Sequence, residues 1–346
     1  MRDLLTIIEE WRQKGDRIAL ATVVKVWGSA PRPLGAQMVV SSRGGIAGSV
    51  SGGCVEGAVF EEAQGVLETG QPKLVSFGVS QDTAWSVGLA CGGTIDVWIE
   101  PLEESFYKTI RDCILADQGI ARSTVVDGDI AGRWSLFAPS RPVDKGDRPA
   151  DDAVLASSAE EALIKQRPAR LSVPLNGQSQ DVFVEVYLPR RKLIVVGAVH
   201  AAIPLVRFAK ELGFRTYVVD PRTVFASPER FSHADEVLTD WPDESLEKIG
   251  LQESSYVVLL SHDLKLDIPA LKVALPSSAR YIGALGSKKT HARRCEKLRE
   301  DGFSENEIAG VHNPVGLNLG GRKAEEMALS ILAEIVAVSH GRDLRR

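Results

Sequence analysis

Residues 192–196 (KLIVV) form a short apolar run that stops at Gly197, after which the hydrophobic spacing becomes helical. A run of that length, bounded by turn residues and rich in β-branched side chains, predicts a strand buried on both faces. The helical spacing continues to about Leu212, Gly213 supplies the stop, and residues 215–219 (RTYVV) make a second apolar run ending at Asp220. A strand, a helix and a strand in that order fold with few alternatives: the strands lie parallel and the crossover is right-handed. Residues 236–238, 256–260 and 280–282 repeat the alternation, which extends the unit to a doubly wound parallel sheet. At 346 residues the chain is long for one core. It divides into a mixed α/β N-terminal domain over 1–189 and a Rossmann-like C-terminal domain over 190–346.

Three loops of the second domain carry candidate binding residues. Gly197 and Asp220 occupy the glycine and acid positions of a dinucleotide fingerprint, with His200 between them. Val199, however, stands where the second glycine lets a backbone approach a pyrophosphate, so NAD(P) is not expected to bind. Asp220 either holds a ribose hydroxyl or belongs to a plain Asp220-Pro221-Arg222 turn. Further on, Gly286, Ser287 and Lys288 open a helix, a combination of glycine, hydroxyl and cation that suits a phosphate. From Arg293 onward the same helix also reads as a solvated basic face. Residues 311–321 form an apolar, glycine-rich loop before a last helix over 323–340, and loops of that length usually have a role.

In the first half, residues 48–57 (GSVSGGCVEG) lead into a helix that Gly70 and Pro72 end. Cys54 therefore lies at a helix N-terminus, where N–H groups and the macrodipole favour an anion or a thiolate. Gly52 and Gly53 leave room beside it, and Cys91-Gly92-Gly93 repeats the small-residue pattern. Both patterns also fit tight turns with buried thiols. Arg32, on a Gly/Pro loop after the strand over 18–26, is either a solvated surface residue or an anion contact. The stretch 121–188 reads as mainly β, with a polar, proline-rich loop over 139–152 and no catalytic constellation.

Composition narrows the functional classes. A net charge of −5 offers no basic field for nucleic acid or for a membrane surface. No apolar run approaches transmembrane length, and four cysteines without a CxxC pair suit a reduced, cytoplasmic protein.

Several segments together resemble the XdhC/CoxI family, the accessory proteins of molybdenum-containing xanthine dehydrogenase and related hydroxylases. In the first half these are Gly28-Ser29 with Pro31-Arg32 and Gly35, residues 51–56 (SGGCVE), and Cys91-Gly92-Gly93 with Glu100-Pro101. In the second they are Gly197-Ala198 with His200, Asp220, His262-Asp263 with Asp267, Tyr281-Ile282-Gly283 with Gly286-Ser287, and Asn313-Pro314 with 316–320. The resemblance covers most of the chain, and departs from the family where Val199, Leu264 and Asn318 stand. It implies a protein without turnover of its own that binds molybdenum cofactor (molybdopterin), shields it, assists its sulfuration and hands it to an apo molybdenum hydroxylase of the xanthine dehydrogenase type. A cysteine desulfurase partner and a homodimer belong to the same expectation. On that reading Arg32, Gly52, Gly53, Cys54, Cys91 and Gly92 contact the cofactor in the first domain, with Cys54 as a soft metal ligand. Gly197, His200, Asp220, Gly286, Ser287 and Lys288 contact it in the second. The alternatives are an NAD(P)-dependent oxidoreductase using the C-terminal domain, and a pure protein–protein adaptor.

Overall fold

The structure is a computed structural model that describes residues 1–28, 32–78, 93–139, 149–175, 177–342 and 344. The chain separates into two compact units, Met1–Pro189 and Arg190–Arg346.

The first unit opens with a 3-10 turn, Arg2–Leu4, and helix α1, Leu5–Gln13. Strands β1 (Ile18–Trp27), β2 (Gln37–Ser41) and β3 (Ile46–Gly48) follow, then helix α2 (Glu56–Thr69), which Gly70 ends in the left-handed conformation. Strands β4 (Lys73–Phe77) and β5 (Thr94–Pro101) complete an antiparallel sheet in the order β3-β2-β1-β5-β4. Helix α3 (Glu104–Leu115) leads to strands β6 (Ile120–Val125) and β7 (Trp134–Phe137), helix α4 (Pro149–Ile164), and strands β8 (Ala169–Leu175) and β9 (Gln178–Tyr187). These four strands make a second antiparallel sheet, β7-β6-β9-β8.

Alternation along β1 explains the layering. Ala19, Ala21 and Val23 face Val59, Ala63 and Val66 of α2, while Ile18 and Leu20 pack with α1 and α3 on the opposite side. Strand β5 is buried on both faces although it carries Asp96 and Glu100. Their charges are met from the second sheet. Arg122 Nη1 donates to Glu100 at 2.8 Å and Arg170 Nη1 to Asp96 at 2.8 Å. Arg122 also lies 3.5 Å from Glu185 and 3.7 Å from the centre of the Phe106 ring. Burial works against its charge, but Glu100 and Glu185 outweigh burial and raise its pKa.

One expectation for this unit needs correction. The middle stretch is not mainly β, because α4 fills residues 149–164 and packs Leu155, Ala159 and Ala162 on the second sheet. Alanine supplies its helix propensity without a strong apolar stripe, so the periodicity is faint. Strand β4 has no clear sequence signal either; it is five residues long and half exposed at a sheet edge.

In the second unit, β10 (Lys192–Val196), α5 (Ala202–Glu211) and β11 (Arg215–Val219) form the expected parallel crossover. Strand β12 (Glu236–Leu238), helix α6 (Pro242–Ile249), strand β13 (Ser255–Leu259), helix α7 (Leu264–Ala274) and strand β14 (Tyr281–Ala284) continue the alternation. Helices α8 (Lys288–Glu300) and α9 (Glu305–Ala309), strand β15 (Val311–His312) and helix α10 (Ala324–Ser339) complete it. The order is β12-β11-β10-β13-β14-β15, every pair parallel. Numbered within the unit this is 3-2-1-4-5-6, the doubly wound Rossmann order. One core joins α5 and α10 to one face; the other joins α6, α7 and α8 to the opposite face. Val311 and His312, which read as loop in the sequence, add the sixth strand beside β14.

Candidate functional site

The glycine-rich stretch around Cys54 does form a cradle of N–H groups before a helix, but the chain fills it with its own carboxylate. Glu56, the first residue of α2, accepts hydrogen bonds from the N–H groups of Ser51 (2.9 Å), Gly52 (2.9 Å) and Gly53 (2.8 Å), and from the hydroxyls of Ser49 and Ser51. Burial pushes the Glu56 carboxyl up, yet the Ser51, Ser49 and backbone hydrogen bonds prevail and hold it far below the usual carboxylate range. Ser51 Oγ in turn accepts from the N–H groups of Cys54 and Val55, each at 3.1 Å. Cys54 sits one residue before the N-cap Val55, half-buried against the core under α2, with a free thiol. The donors expected to meet an external anion at Gly52 and Gly53 are therefore already engaged. Arg32 is exposed on the loop between β1 and β2; Cys91 and Gly92 lie outside the described residues. Among the described residues no three His, Cys, Asp or Glu side chains are grouped to hold a metal.

The carboxyl ends of the parallel sheet collect the other candidates. Gly197 follows β10 with a φ of +104°, and a Cβ there would lie 2.7 Å from the backbone nitrogen of Ser261, after β13. Only glycine lets those two loops touch at the point where the strand order reverses. Asp220 is fully buried after β11. Its oxygens accept from the N–H of Ala198 (2.8 Å), the N–H of Arg222 (3.0 Å), and Arg222 Nε (2.8 Å) and Nη2 (2.7 Å). Burial opposes its charge, and the Arg222 and backbone hydrogen bonds outweigh burial and lower its pKa. Asp220 thus ties its own turn to the Gly197 loop. Val199 packs against the core beneath that loop, and His200 and His262 are exposed, the latter with a φ of +57°.

Helix α8 starts differently from α2. Ser287 is its N-cap and accepts from the N–H of Thr290 at 3.2 Å. Among the described residues nothing takes the N–H groups of Gly286, Ser287, Lys288 or Lys289, and the first turn contains no acid. Lys288 and Lys289 are exposed beside them. Beneath the loop lies Arg294, which by residue type alone suits a solvated basic face but is 1% exposed. It donates through Nε to Asp267 at 2.7 Å and through Nη2 to the carbonyl of Leu285, while Nη1 is buried without a partner among the described residues. Ser261 closes the set by donating to Asp267. A Cβ on Gly286, whose φ is +147°, would stand 3.2 and 3.3 Å from the two terminal nitrogens of Arg294. The loops after β13 and β14 are thereby locked together by a buried ion pair. Arg294 shares a helical face with buried Cys295 and Leu298, and that face is the sequence signal that it points inward.

Beside this helix start, the loop 314–322 and the first turns of α10 enclose a cavity of about 630 Å³ that also touches Leu285. The loop is held by Glu334, which accepts from the N–H of Gly316 (2.8 Å), from His312 Nδ1 (2.8 Å) and from Tyr281. Glu326 accepts from the N–H groups of Arg322 and Lys323 and so caps α10. The length and glycine content of this loop single it out in the sequence, but they assign none of its residues to a site. No helix among the described residues is long and apolar enough to cross a membrane.

Comparison with known proteins agrees with this architecture. A family model described as the XdhC Rossmann domain matches residues 193–335, and one for the XdhC and CoxI family matches residues 11–78. A protein of Bacillus subtilis (strain 168), named as a probable subunit of xanthine dehydrogenase, is 27% identical, with 97% of each chain covered. The molybdenum cofactor insertion chaperone PaoD of Escherichia coli (strain K12) is 28% identical over 97% of this chain and 88% of its own length. A crystal structure from Bacillus halodurans, described as a xanthine dehydrogenase, matches with a TM-score of 0.76 at 27% identity, covering 98% of this chain and 96% of that one.

Proposed function

Because the chain belongs to the XdhC and CoxI family, we propose that it binds molybdenum cofactor and delivers it to an apo molybdenum hydroxylase of the xanthine dehydrogenase type. In this reading it has no turnover of its own, acts as a homodimer, and holds the cofactor while a cysteine desulfurase provides sulfur. The similarity to a cofactor insertion chaperone supports the class of function. The observation that carries the site is the open start of α8. Four N–H groups, two lysines and the helix macrodipole converge there, with no acid in the first turn to neutralise them. That donor set fits the phosphate of the cofactor, and Gly286, Ser287 and Lys288 would hold it. In the first unit Cys54 is a free, half-buried thiol, the soft ligand class that suits molybdenum.

The oxidoreductase alternative is not favoured. Asp220 spends its oxygens on Ala198 and Arg222, which leaves a ribose hydroxyl without its usual acceptor. The test is the chain purified from cells that make molybdenum cofactor, analysed for molybdenum and for fluorescent oxidised pterin. Wild type should carry both, and folded Lys288→Glu should lose at least about tenfold in occupancy, as expected when a charge-assisted phosphate contact becomes repulsive. A nicotinamide dinucleotide in place of pterin, or full occupancy in Lys288→Glu, would refute it.

A further inference from the structure

We infer that the cavity between the loop 314–322 and α10 seats the flat pterin ring of the cofactor, uncharged and bearing a 2-amino-4-oxo edge. This rests on the reading above and deepens it, since the helix start at Gly286 accounts only for the anionic end. The cavity volume, about 630 Å³, falls within the rough 300–1,000 Å³ range of small-molecule sites.

Its lining has the two parts such a ring needs. Leu285, Leu317, Met327 and Ile331 give apolar walls against which a planar ring can lie. Asn318 and Glu326 give a polar edge with opposite hydrogen-bonding senses. Glu326 Oε2 is committed to the N–H groups of Arg322 and Lys323, and Oε1 takes no hydrogen bond among the described residues. A carboxylate oxygen held in place by the helix cap is a ready acceptor for an amino group and a ring N–H. The N–H groups of Asn318, Gly320 and Gly321 likewise have no partner among the described residues, and they supply donors for an oxo oxygen.

Charge fixes the direction of the ligand. Glu326 and Arg322 both line the cavity and offset one another, whereas Lys288 and Lys289 face no acid in the first turn of α8 and attract a phosphate there. Leu285 lines the cavity and directly precedes Gly286, so the two subsites are consecutive in the chain. A ligand with a neutral amino-oxo ring at one end and a phosphate at the other satisfies both; a simple anion satisfies one.

Guanine shares the amino-oxo edge, so the experiment separates the two. The full chain is titrated by fluorescence and calorimetry with 6-hydroxymethylpterin and, separately, with guanosine, using wild type, Met327→Trp, Asn318→Ala and Lys288→Glu. Wild type should bind the pterin at least about tenfold tighter than guanosine. Met327→Trp, which fills the cavity, and Asn318→Ala, which removes a polar edge without disturbing packing, should each weaken the pterin about tenfold or more. Lys288→Glu should leave the unphosphorylated pterin within about twofold. Guanosine binding as tightly as the pterin, or unchanged pterin binding in both cavity variants, would overturn the assignment. Cofactor co-purifying equally with wild type and both cavity variants would sink the cavity and leave the delivery role standing. Pterin binding that the cavity variants abolish, in a chain that never carries the cofactor from cells, would keep the cavity and sink that role.

Discussion

Replacing Glu56 with glutamine tests whether the carboxylate, and no external anion, completes the start of α2. In the native chain Oε1 accepts from Ser49 Oγ and from the N–H groups of Ser51 and Gly52, and Oε2 accepts from Ser51 Oγ and the N–H of Gly53. Glutamine keeps one acceptor oxygen and turns the other into a donor, so two bonds are lost and three become neutral. Hydrogen bonds to a charged group contribute about 1.5–3 kcal/mol each, and the lower end applies here because the Gly53 N–H is exposed and water replaces the acceptor. The expected loss is about 2–3 kcal/mol, or roughly 4–12 °C in Tm at about 2–4 °C per kcal/mol.

The pH dependence gives an independent sign. The folded-state pKa of Glu56 lies below its ordinary 4.5 because the Ser51, Ser49 and backbone hydrogen bonds outweigh burial. A depressed carboxyl contributes stability that is complete above the unfolded pKa and is lost as pH falls towards the folded one. The gap between wild type and Glu56→Gln should therefore be constant from pH 8 to 6 and narrow below about pH 4.5. Thermal unfolding followed by circular dichroism at pH 7, 5, 4 and 3 measures it. A variant that melts within about 1 °C of wild type at pH 7, or a gap unchanged down to pH 3, would refute the reasoning.

Two further substitutions probe the other charged sites. Arg122→Met leaves Glu100 and Glu185 buried without their cation and should cost about 3–5 kcal/mol; burial already raises the Glu185 carboxyl against the pull of Arg122, and losing that cation raises it further, so the deficit should shrink as pH falls, and a deficit that grows in acid would contradict this. Thr290→Glu places an acid three residues after the N-cap Ser287 and should strengthen α8 by about 0.5–1 kcal/mol while weakening inorganic pyrophosphate binding about tenfold; unchanged pyrophosphate affinity in calorimetry would remove the helix start from the site.

The second unit is legible in the sequence because its signals are local. Each buried parallel strand is a continuous apolar run, and Gly197, Gly213 and Asp220 mark the turns within a short window. What is not legible depends on partners distant in the chain. Asp96 and Glu100 are acids within a strand buried on both faces, and Arg170 and Arg122, which neutralise them, come from the other sheet. Arg294 reads as surface until Asp267, one helix earlier, is placed beside it. Helix α4 is hidden for another reason, since alanine favours helix without drawing a stripe. At the candidate site, Gly286, Ser287 and Lys288 stand out by their types alone, whereas the self-occupancy of the Gly52–Gly53 cradle depends on the side-chain direction of Glu56.

That contrast yields a rule stated in residues. Among the described residues four helix starts follow a glycine by two or three residues: α2 after Gly53, α8 after Gly286, α9 after Gly302 and α10 after Gly321. In α2, α9 and α10 a glutamate in the first turn, Glu56, Glu307 or Glu326, folds back onto the free N–H groups. Such a carboxylate is tethered, so it competes with any dissolved anion at high effective concentration. In α8 the first turn reads Lys288-Lys289-Thr290, no tethered acid can reach the cradle, and the lysines add attraction where the glutamates would repel. The same glycine grammar therefore gives a structural cap in three places and, at α8, N–H groups that no acid of the first turn takes. The residue that decides between them is the acid in the first turn, not the glycine.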